Sequence, residues 1–271
     1  MLDFLMITTR SPKKDVVEVY PKFMIKKSND LMIRGSDFYA IWVDELGLWS
    51  TDEEDVTRLV DREIDNYFEE HRDGLEAKYS TVRVLHMWDA DSGVIDKWHK
   101  YCQKQMRDNF HMLDEKILWS NEKPKKRDYA SKTLSYPLEA GDISAWDKLV
   151  GTLYSEEERH KIEWAIGSIV SGDSKKIQKF MVLYGAAGTG KSTVLNIIQQ
   201  LFEGYYSVFD AKALGSSSNA FALEAFKTNP LVAIQHDGDL SKIEDNTRLN
   251  SLVSHEVMEI NEKFKVNAFC F

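Results

Sequence analysis

Cysteine is scarce in this chain of 271 residues, which contains only Cys102 and Cys270. The two residues lie far apart and form no C-x-x-C motif, and the seven histidines never fall at the spacing of metal ligands. We therefore expect two free thiols, no disulfide framework and no zinc site.

Long apolar runs are also lacking. No run approaches the length of a membrane span, and residues 1–10 do not show the charged, apolar and small-residue order of a signal peptide. The hydrophobic content of 43%, the charged content of 29% and the mean hydropathy of -0.41 are typical of a globular protein. We expect a cytoplasmic protein with no membrane partner.

Positively charged residues are fewer than negatively charged ones. The chain has 35 lysines and arginines and 44 acidic residues, which gives a formal net charge of -9. This balance excludes a broad basic face that grips nucleic acid from outside, but it leaves room for a local basic element such as the lining of a pore.

A chain of this length is expected to form two domains. We place them at 1–145 and 146–271, because the pattern around 135–146 is irregular and contains the breakers Pro137 and Gly141.

The most informative stretch is a glycine-rich loop in the second domain. It follows the apolar run 180–184, which predicts a strand, and it precedes 194–202, whose apolar positions fit a buried helix. This order and the pattern G-x-x-x-x-G-K-[ST] predict a phosphate-binding loop, in which backbone N–H groups and a helix N-terminus surround a polyphosphate. The loop residues are Gly185, Ala186, Ala187, Gly188, Thr189, Gly190, Lys191, Ser192 and Thr193.

Each residue type in this loop has a chemical reason. Glycine lets the backbone approach phosphate oxygens and adopt dihedral angles that a Cβ atom would forbid. Lys191 supplies a compact positive charge, and Ser192 offers a hydroxyl to Mg²⁺. We therefore predict a purine nucleoside triphosphate site, with ATP and Mg²⁺ as its cofactors.

A second acidic element follows the loop. The apolar run 230–234 predicts a strand that leads into Asp237 and Asp239. A carboxylate at the end of a parallel strand beside a phosphate loop can hold the water shell of Mg²⁺, and a neighbouring acid can orient the attacking water. We predict Asp237 on the metal side and Asp239 as the second acid. Because Gly238 separates them, the two roles can be exchanged, and a simple Asp-Gly turn is the other interpretation.

Strands alternate with helices along the second domain, which predicts an α/β fold with a covered parallel sheet. Ser155 opens a capping box, and the helix that follows ends near Gly172. Further along, 205–209 predicts a strand, while 219–227 and 246–254 predict helices.

The first domain is predicted to be smaller, mixed α+β and rich in helix. Strands are expected at 30–34, 38–43 and 82–88, and amphipathic helices at 56–68 and 94–106. One side of the last helix carries four cations: Lys97, Lys100, Lys104 and Arg107. Such a stripe suits a nucleic-acid backbone, although it is more often a solvated helix face.

The end of the chain predicts a hairpin. Residues 257–269 form two strand patterns around 262–265, which places Lys263, Phe264 and Lys265 at the tip. Two cations around an aromatic ring suit the binding of single-stranded DNA, whereas a charged tip that is merely solvated is the commoner case.

Taken together, these features resemble the superfamily three helicases, in particular the helicase half of phage and plasmid primase-helicases. The matching pieces are the loop 185–193, the acidic strand 231–240, the helix with Leu249 and Leu252, and the hairpin 259–269. The resemblance extends over residues 35–271 and is looser before the loop.

This resemblance implies an AAA+-like P-loop core, assembled as a homo-hexameric ring with ATP held between neighbours. It implies an ATP-dependent DNA helicase that pulls single-stranded or forked DNA through its channel in the cytoplasm of a bacterial host, with other replication proteins as further partners. Carried over by position, Lys191 contacts the β/γ-phosphates and Ser192 contacts Mg²⁺. Asp237 and Asp239 form the acidic pair. Lys263 and Lys265 contact DNA.

The chain also departs from the family pattern. His255-Glu256 stands where a Gly-Asp pair is common, and His236 stands where an acid is common. The sequence ends at Phe271, inside what resembles the strand before the sensor, so the sensor asparagine and the arginine finger lie beyond it. Since such a finger contributes about 10³ to 10⁵ in turnover, we expect a C-terminally truncated motor that binds nucleotide and hydrolyses it slowly.

Three other functions compete with the helicase. A hydrolysis-poor, nucleotide-dependent DNA-binding or assembly module fits the early end of the sequence. A primase activity in the first half would use Asp89 and Asp91 as a metal-binding D-x-D, although Asp-x-Asp-Ser-Gly is also ordinary turn chemistry. A small-molecule kinase would need a lid rich in arginine, and Arg248 is the only arginine after Lys191.

Overall fold

The computed structural model describes residues 2–89, 92–216, 219, 221–238, 245–260 and 268–270. The chain forms two compact units. The first unit comprises Met1–Leu113 and Lys123–Ser131, and the second comprises Asp114–Glu122 and Lys132–Phe271. The chain thus passes between the units three times before residue 133, whereas the sequence pattern placed one boundary at 145/146.

The first unit contains two small sheets and one long helix. Its elements are β1 Leu5–Lys13, β2 Val16–Phe23, β3 Leu31–Arg34, β4 Asp37–Val43, β5 Leu48–Ser50, α1 Glu54–Lys78, β6 Thr81–Val84, α2 Val94–Lys97 and α3 Gln103–Gln105. A π-helical turn, Trp98–Cys102, joins α2 to α3.

The first sheet has the order β1-β2-β6. β1 and β2 form an antiparallel hairpin, and β2 pairs in parallel with β6, so that Val16 faces Thr81. Val17 and Val19 of β2 are almost completely buried. They are β-branched and lie on a strand that has a partner on each side, which is where such side chains pack well.

The second sheet is the antiparallel meander β3-β4-β5. The predicted strands at 30–34 and 38–43 are confirmed, and so is the helix predicted from residue 56, which extends to Lys78 as α1. Val56, Val60 and Ile64 of α1 are fully buried in the core of this unit. Their spacing of four residues places them on one helix face, and burial of that face stabilises the helix.

The helix predicted at 94–106 forms, but it is interrupted. The π-helical turn Trp98–Cys102 lies between Lys97 and Lys104 and contains Lys100. Lys100 forms an ion pair with Asp96 (3.6 Å), and Arg107 lies beyond the last helical residue, Gln105. All four cations are exposed, as on a solvated helix face, and contact of this stripe with a nucleic-acid backbone stays a prediction.

The second unit contains six helices and four short strands among the residues that the structure describes. They are α4 Ser144–Leu153, α5 Glu156–Ser171, α6 Ser174–Ile177, α7 Lys191–Leu201, β7 Tyr206–Val208, α8 Ala211–Leu214, β8 Val232–Ile234, α9 Thr247–Val253, β9 Met258–Ile260 and β10 Ala268–Cys270.

Local sequence signals set the ends of α5 as predicted. The Ser155 hydroxyl accepts a hydrogen bond from the Glu158 N–H, while the Glu158 carboxylate accepts one from the Ser155 N–H. At the other end, Gly172 adopts the left-handed conformation with φ of 70°. A capping box and a glycine C-cap thus bound the helix.

The parallel sheet predicted for this domain is present as one pair. β7 and β8 pair in parallel, with Tyr206 facing Val232, and α8 lies in the connection between them. Val194 and Ile198 of α7 share a buried core with Val232 and Ile234 of β8. The helix predicted at 219–227 is limited to the 3₁₀ turn Glu224–Phe226.

The strand predicted at 180–184 is wrong. Residues 179–186 have no regular secondary structure, and Phe180, Val182 and Tyr184 are 53%, 53% and 99% exposed. An apolar run becomes a strand only when a neighbouring strand pairs with its backbone, and no strand in the described part of the chain does so here.

The helix predicted at 246–254 is confirmed as α9. The two strands predicted at 257–269 are confirmed as the antiparallel pair β9-β10, in which Met258 faces Cys270. Among the residues that the structure describes, no helix is both long enough and apolar enough to span a bilayer.

Candidate functional site

The glycine loop contains left-handed glycines and precedes helix α7, but it follows residues without regular secondary structure instead of the predicted strand. Gly188 and Gly190 have φ angles of 77° and 80°, in the left-handed region that favours glycine. Helix α7 begins immediately afterwards at Lys191 and continues for 11 residues. The loop therefore ends at the N-terminus of a helix long enough to contribute an appreciable dipole.

The Lys191 side chain folds back over this loop. Its ammonium donates hydrogen bonds to the carbonyl oxygens of Gly185 (2.9 Å) and Ala186 (2.6 Å), and it lies 3.3 Å from the Thr189 hydroxyl. The Thr189 hydroxyl in turn donates to the Ala186 carbonyl (3.0 Å). The loop thus curls around one positive charge, and three polar atoms hold that charge at its centre.

Helix α4 supports the loop from one side. A Cβ atom added at Gly190 would lie 2.7 Å from the Cδ1 atom of Leu153, the last residue of α4. Sequence reasoning missed this contact because it treated the start of the second domain as irregular. The signal was present, since Trp146, Leu149, Val150 and Leu153 repeat at helical spacing.

The first turn of α7 supplies further donors. The first intrahelical bond runs from the Val194 N–H to the Gly190 carbonyl (3.1 Å). The N–H groups of Lys191, Ser192 and Thr193 therefore have no acceptor inside the helix, as in any first turn. The side chain of Ser192 is exposed beside them. Backbone donors, a lysine and a hydroxyl fit a polyphosphate with a hard divalent cation.

Electrostatics at the helix start favour an anion. α7 has no acidic residue in its first turn, unlike α5, whose first turn holds three glutamates. A carboxylate in that position would neutralise the positive end of the helix dipole. Its absence from the described first turn leaves the helix end, together with Lys191, available to negative charge.

The predicted acidic element lies at the end of β8, where the residues are anchored by neighbours. The Gln235 side chain accepts a hydrogen bond from the Ala211 N–H (3.0 Å), and His236 Nε2 lies 3.1 Å from Gln199 Oε1. Asp237 follows with an exposed side chain, and Asp239 lies outside the described residues.

These anchors show which part of α7 lies near the end of β8. Gln199 is eight residues after Lys191 along the helix, a rise of about 12 Å at 1.5 Å per residue. The His236 contact therefore reaches the C-terminal half of α7 rather than its first turn. The pairing of Asp237 with Ser192 around Mg²⁺ stays a prediction.

Other predicted site residues fall at the hairpin and at the first domain's D-x-D. Lys263, Phe264 and Lys265 lie outside the described residues, as does Asp91. The Asp89 carbonyl accepts hydrogen bonds from the N–H and the hydroxyl of Ser92 (3.0 and 2.7 Å). That arrangement is a turn, and no cluster of three potential metal-ligating side chains occurs in the described ranges.

Arg248 has a local structural role. Its guanidinium donates to the carbonyl oxygens of Ser216 (3.1 Å) and Asn219 (3.0 Å), which fastens α9 to the chain after α8. An arginine held in this way does not offer the mobile lid that a small-molecule kinase requires.

Comparison with known proteins finds one similarity, which lies in this unit. Residues 183–270, about a third of the chain, match a family of unknown function (DUF5906). No curated protein matches the chain. No solved structure matches it either. The matched segment contains the glycine loop, α7, β8 and the β9-β10 pair.

Proposed function

We propose that this chain binds ATP with Mg²⁺ at the loop 185–193 and hydrolyses it as the motor step of a DNA helicase. The observation that carries the proposal is the Lys191 ammonium, which loop carbonyls hold at the N-terminus of an 11-residue helix. A positive charge, free first-turn N–H groups and left-handed glycines together form a setting that favours a polyphosphate.

The roles of the loop residues follow from their positions. Lys191 exchanges neutral carbonyl acceptors for charged phosphate oxygens, which form stronger, charge-assisted hydrogen bonds. Ser192 offers its exposed hydroxyl as a ligand for Mg²⁺, which neutralises phosphate charge when bound. Gly188 and Gly190 keep the backbone free of Cβ atoms where it would approach the phosphates.

The hydrolytic and DNA-binding parts of the proposal rest on the resemblance to superfamily three helicases. In this proposal Asp237 and Asp239 orient water and the metal, and Lys263, Phe264 and Lys265 contact single-stranded or forked DNA within an AAA+-like homo-hexamer. The β9-β10 pairing supports a hairpin that could present such residues. Other replication proteins are further proposed partners.

One observation favours a second function, in which the chain binds nucleotide and DNA but turns ATP over poorly. The His236–Gln199 contact lies toward the C-terminal half of α7. If Asp237 remains there in the nucleotide-bound protein, its carboxylate does not reach the first turn of α7. The chain would then act as a nucleotide-dependent DNA-binding or assembly module.

Steady-state ATP turnover with and without single-stranded DNA tests the two functions. We expect DNA to stimulate turnover by the wild type, and we expect Lys191→Ala and Asp237→Asn to abolish the stimulation. Lys161→Ala is the matched control, because Lys161 is an exposed lysine in an ion pair with Glu157 (2.6 Å) on α5.

The possible results of the turnover assay distinguish the helicase from the hydrolysis-poor module. Tight ATP binding without turnover favours the second function. ATP turnover that survives in Lys191→Ala contradicts nucleotide binding by the loop 185–193, on which both proposed functions depend.

A further inference from the structure

A cavity in the first unit combines cations with aromatic rings. Its volume is about 380 Å³, within the range of small-molecule sites. It lies between the β1-β2 hairpin and the helical stretch after β6. The lining residues that bear on its chemistry are Arg10, Tyr20, Lys22, Phe23, Lys97 and Tyr101.

The charge of this cavity is opposite to that of the protein. Three of the described lining residues are cationic and none is acidic, although the chain as a whole carries a net charge of -9. Arg10 is already engaged, since its Nε atom donates to the Glu18 carboxylate (2.8 Å) and its guanidinium lies 4.9 Å from the centre of the Tyr20 ring.

Lys22 and Lys97 are the two available cations. Both are exposed, and neither forms an ion pair within the ranges that the structure describes. Their charges are therefore available to a phosphate in the cavity. Lys100, by contrast, lies on the same helical stretch as Lys97 but does not line the cavity and pairs with Asp96.

The aromatic side of the cavity offers a flat surface. Tyr101 is 60% exposed, which is unusual for a large ring beside a cavity. Phe23 also lines the cavity and packs against the buried Trp98, with ring centroids 5.0 Å apart. A rigid wall and an exposed ring suit the stacking of a nucleobase, which every base can accept through its π-face.

From this combination we infer that the cavity binds a nucleoside phosphate, with the base against Tyr101 and the phosphate at Lys22 and Lys97. The source of the ligand is either a free nucleotide or one unit of a single strand. The site differs from the loop 185–193, because it lies in the other unit. It does not depend on the proposed ATPase.

Fluorescence anisotropy of a labelled oligo-dT of about ten nucleotides tests this inference. The measurement uses the full chain carrying Lys191→Ala, so that the glycine loop does not contribute nucleotide binding. On this background we compare the double variant Lys22→Gln/Lys97→Gln, the single variant Tyr101→Ala and the control Lys100→Gln. Unlabelled dTMP serves as the free-nucleotide competitor.

We expect Tyr101→Ala to weaken binding at least about fivefold, the lower limit for one stacked base. The double lysine variant should reduce the slope of log K against log[salt] by about 1.4, or about 0.7 for each lost phosphate contact. Lys100→Gln should change affinity less than about twofold, since its charge is already paired.

The two sources give different results. Displacement of the oligonucleotide by dTMP assigns a free nucleotide to the cavity. Retention in excess dTMP assigns a strand to the cavity only where Tyr101→Ala weakens that retained binding, because the proposed DNA contacts at Lys263 and Lys265 do not involve Tyr101. Equal affinities for Tyr101→Ala, the double lysine variant and Lys100→Gln would overturn the inference, as would a failure of both probes to bind. Circular dichroism on the same samples checks folding, which these exposed positions should not affect.

Discussion

Replacing Gly190 with alanine tests whether the glycine loop is shaped by the contact with α4. Gly190 has a φ of 80°, and a Cβ atom there would lie 2.7 Å from Leu153 Cδ1. Gly188 has a nearly equal φ of 77°, but a Cβ atom there would meet nothing within 4 Å. Alanine at either position would therefore adopt a strained left-handed backbone, but only alanine at position 190 would also clash with Leu153.

The magnitudes follow from these two sources. The left-handed conformation costs an L-residue about 1–2 kcal/mol, so we expect Gly188→Ala to lower the free energy of unfolding by that amount. Gly190→Ala pays the same cost and also forces Leu153 from its rotamer, which adds about 0.5–1.5 kcal/mol. Leu153 is 37% exposed, so truncating it alone removes only part of a buried side chain.

A double-mutant cycle isolates the contact. Gly190→Ala should be partly rescued by Leu153→Ala, with a coupling energy of about 0.5–1.5 kcal/mol in urea unfolding. Gly188→Ala should show no coupling to Leu153→Ala. Equal losses for Gly188→Ala and Gly190→Ala, without rescue, would refute the packing of α4 against the loop.

Three further predictions concern the second unit. Tyr205→Phe should lower the free energy of unfolding by about 1–3 kcal/mol. The buried Tyr205 hydroxyl donates to the Lys132 carbonyl (2.9 Å) and accepts from the Leu118 N–H (3.2 Å). Tyr206→Phe, the control, should change the free energy of unfolding little. Burial raises the pKa of Tyr205 from 10.0 to about 12, so the unfolded chain loses this proton first. Stability therefore falls as the pH rises through that window, by up to about 3 kcal/mol, and urea unfolding should show a shallower fall in Tyr205→Phe. Ser155→Ala removes the N-cap of α5 and should cost about 0.5–2 kcal/mol in the same assay; an unchanged midpoint would contradict the capping role.

Local signals in the sequence were sufficient wherever neighbouring residues decide the structure. The capping box at Ser155 and the glycine at 172 bound α5, and the spacing of Val56, Val60 and Ile64 predicts the buried face of α1. The glycine loop is equally local, because the left-handed angles of Gly188 and Gly190 and the start of α7 lie within a few residues.

Features that depend on distant residues were not predictable in this way. The run 180–184 has the composition of a buried strand, but composition does not specify the neighbouring strand that its backbone needs. The hairpin of β1 and β2 was missed, although the alternation around Val17 and Val19 was a usable signal. The cation-lined cavity joins residues 10–25 to residues 85–105, a juxtaposition that no local pattern contains.

The most direct test of the central claim is equilibrium binding of a fluorescent ATP analogue, with and without Mg²⁺. We predict saturable binding to the wild type that Mg²⁺ strengthens, loss of that binding in Lys191→Ala, and unchanged binding in Lys161→Ala. Equal binding by wild type and Lys191→Ala, or no binding by either, would contradict the assignment of the loop 185–193 as a nucleotide site.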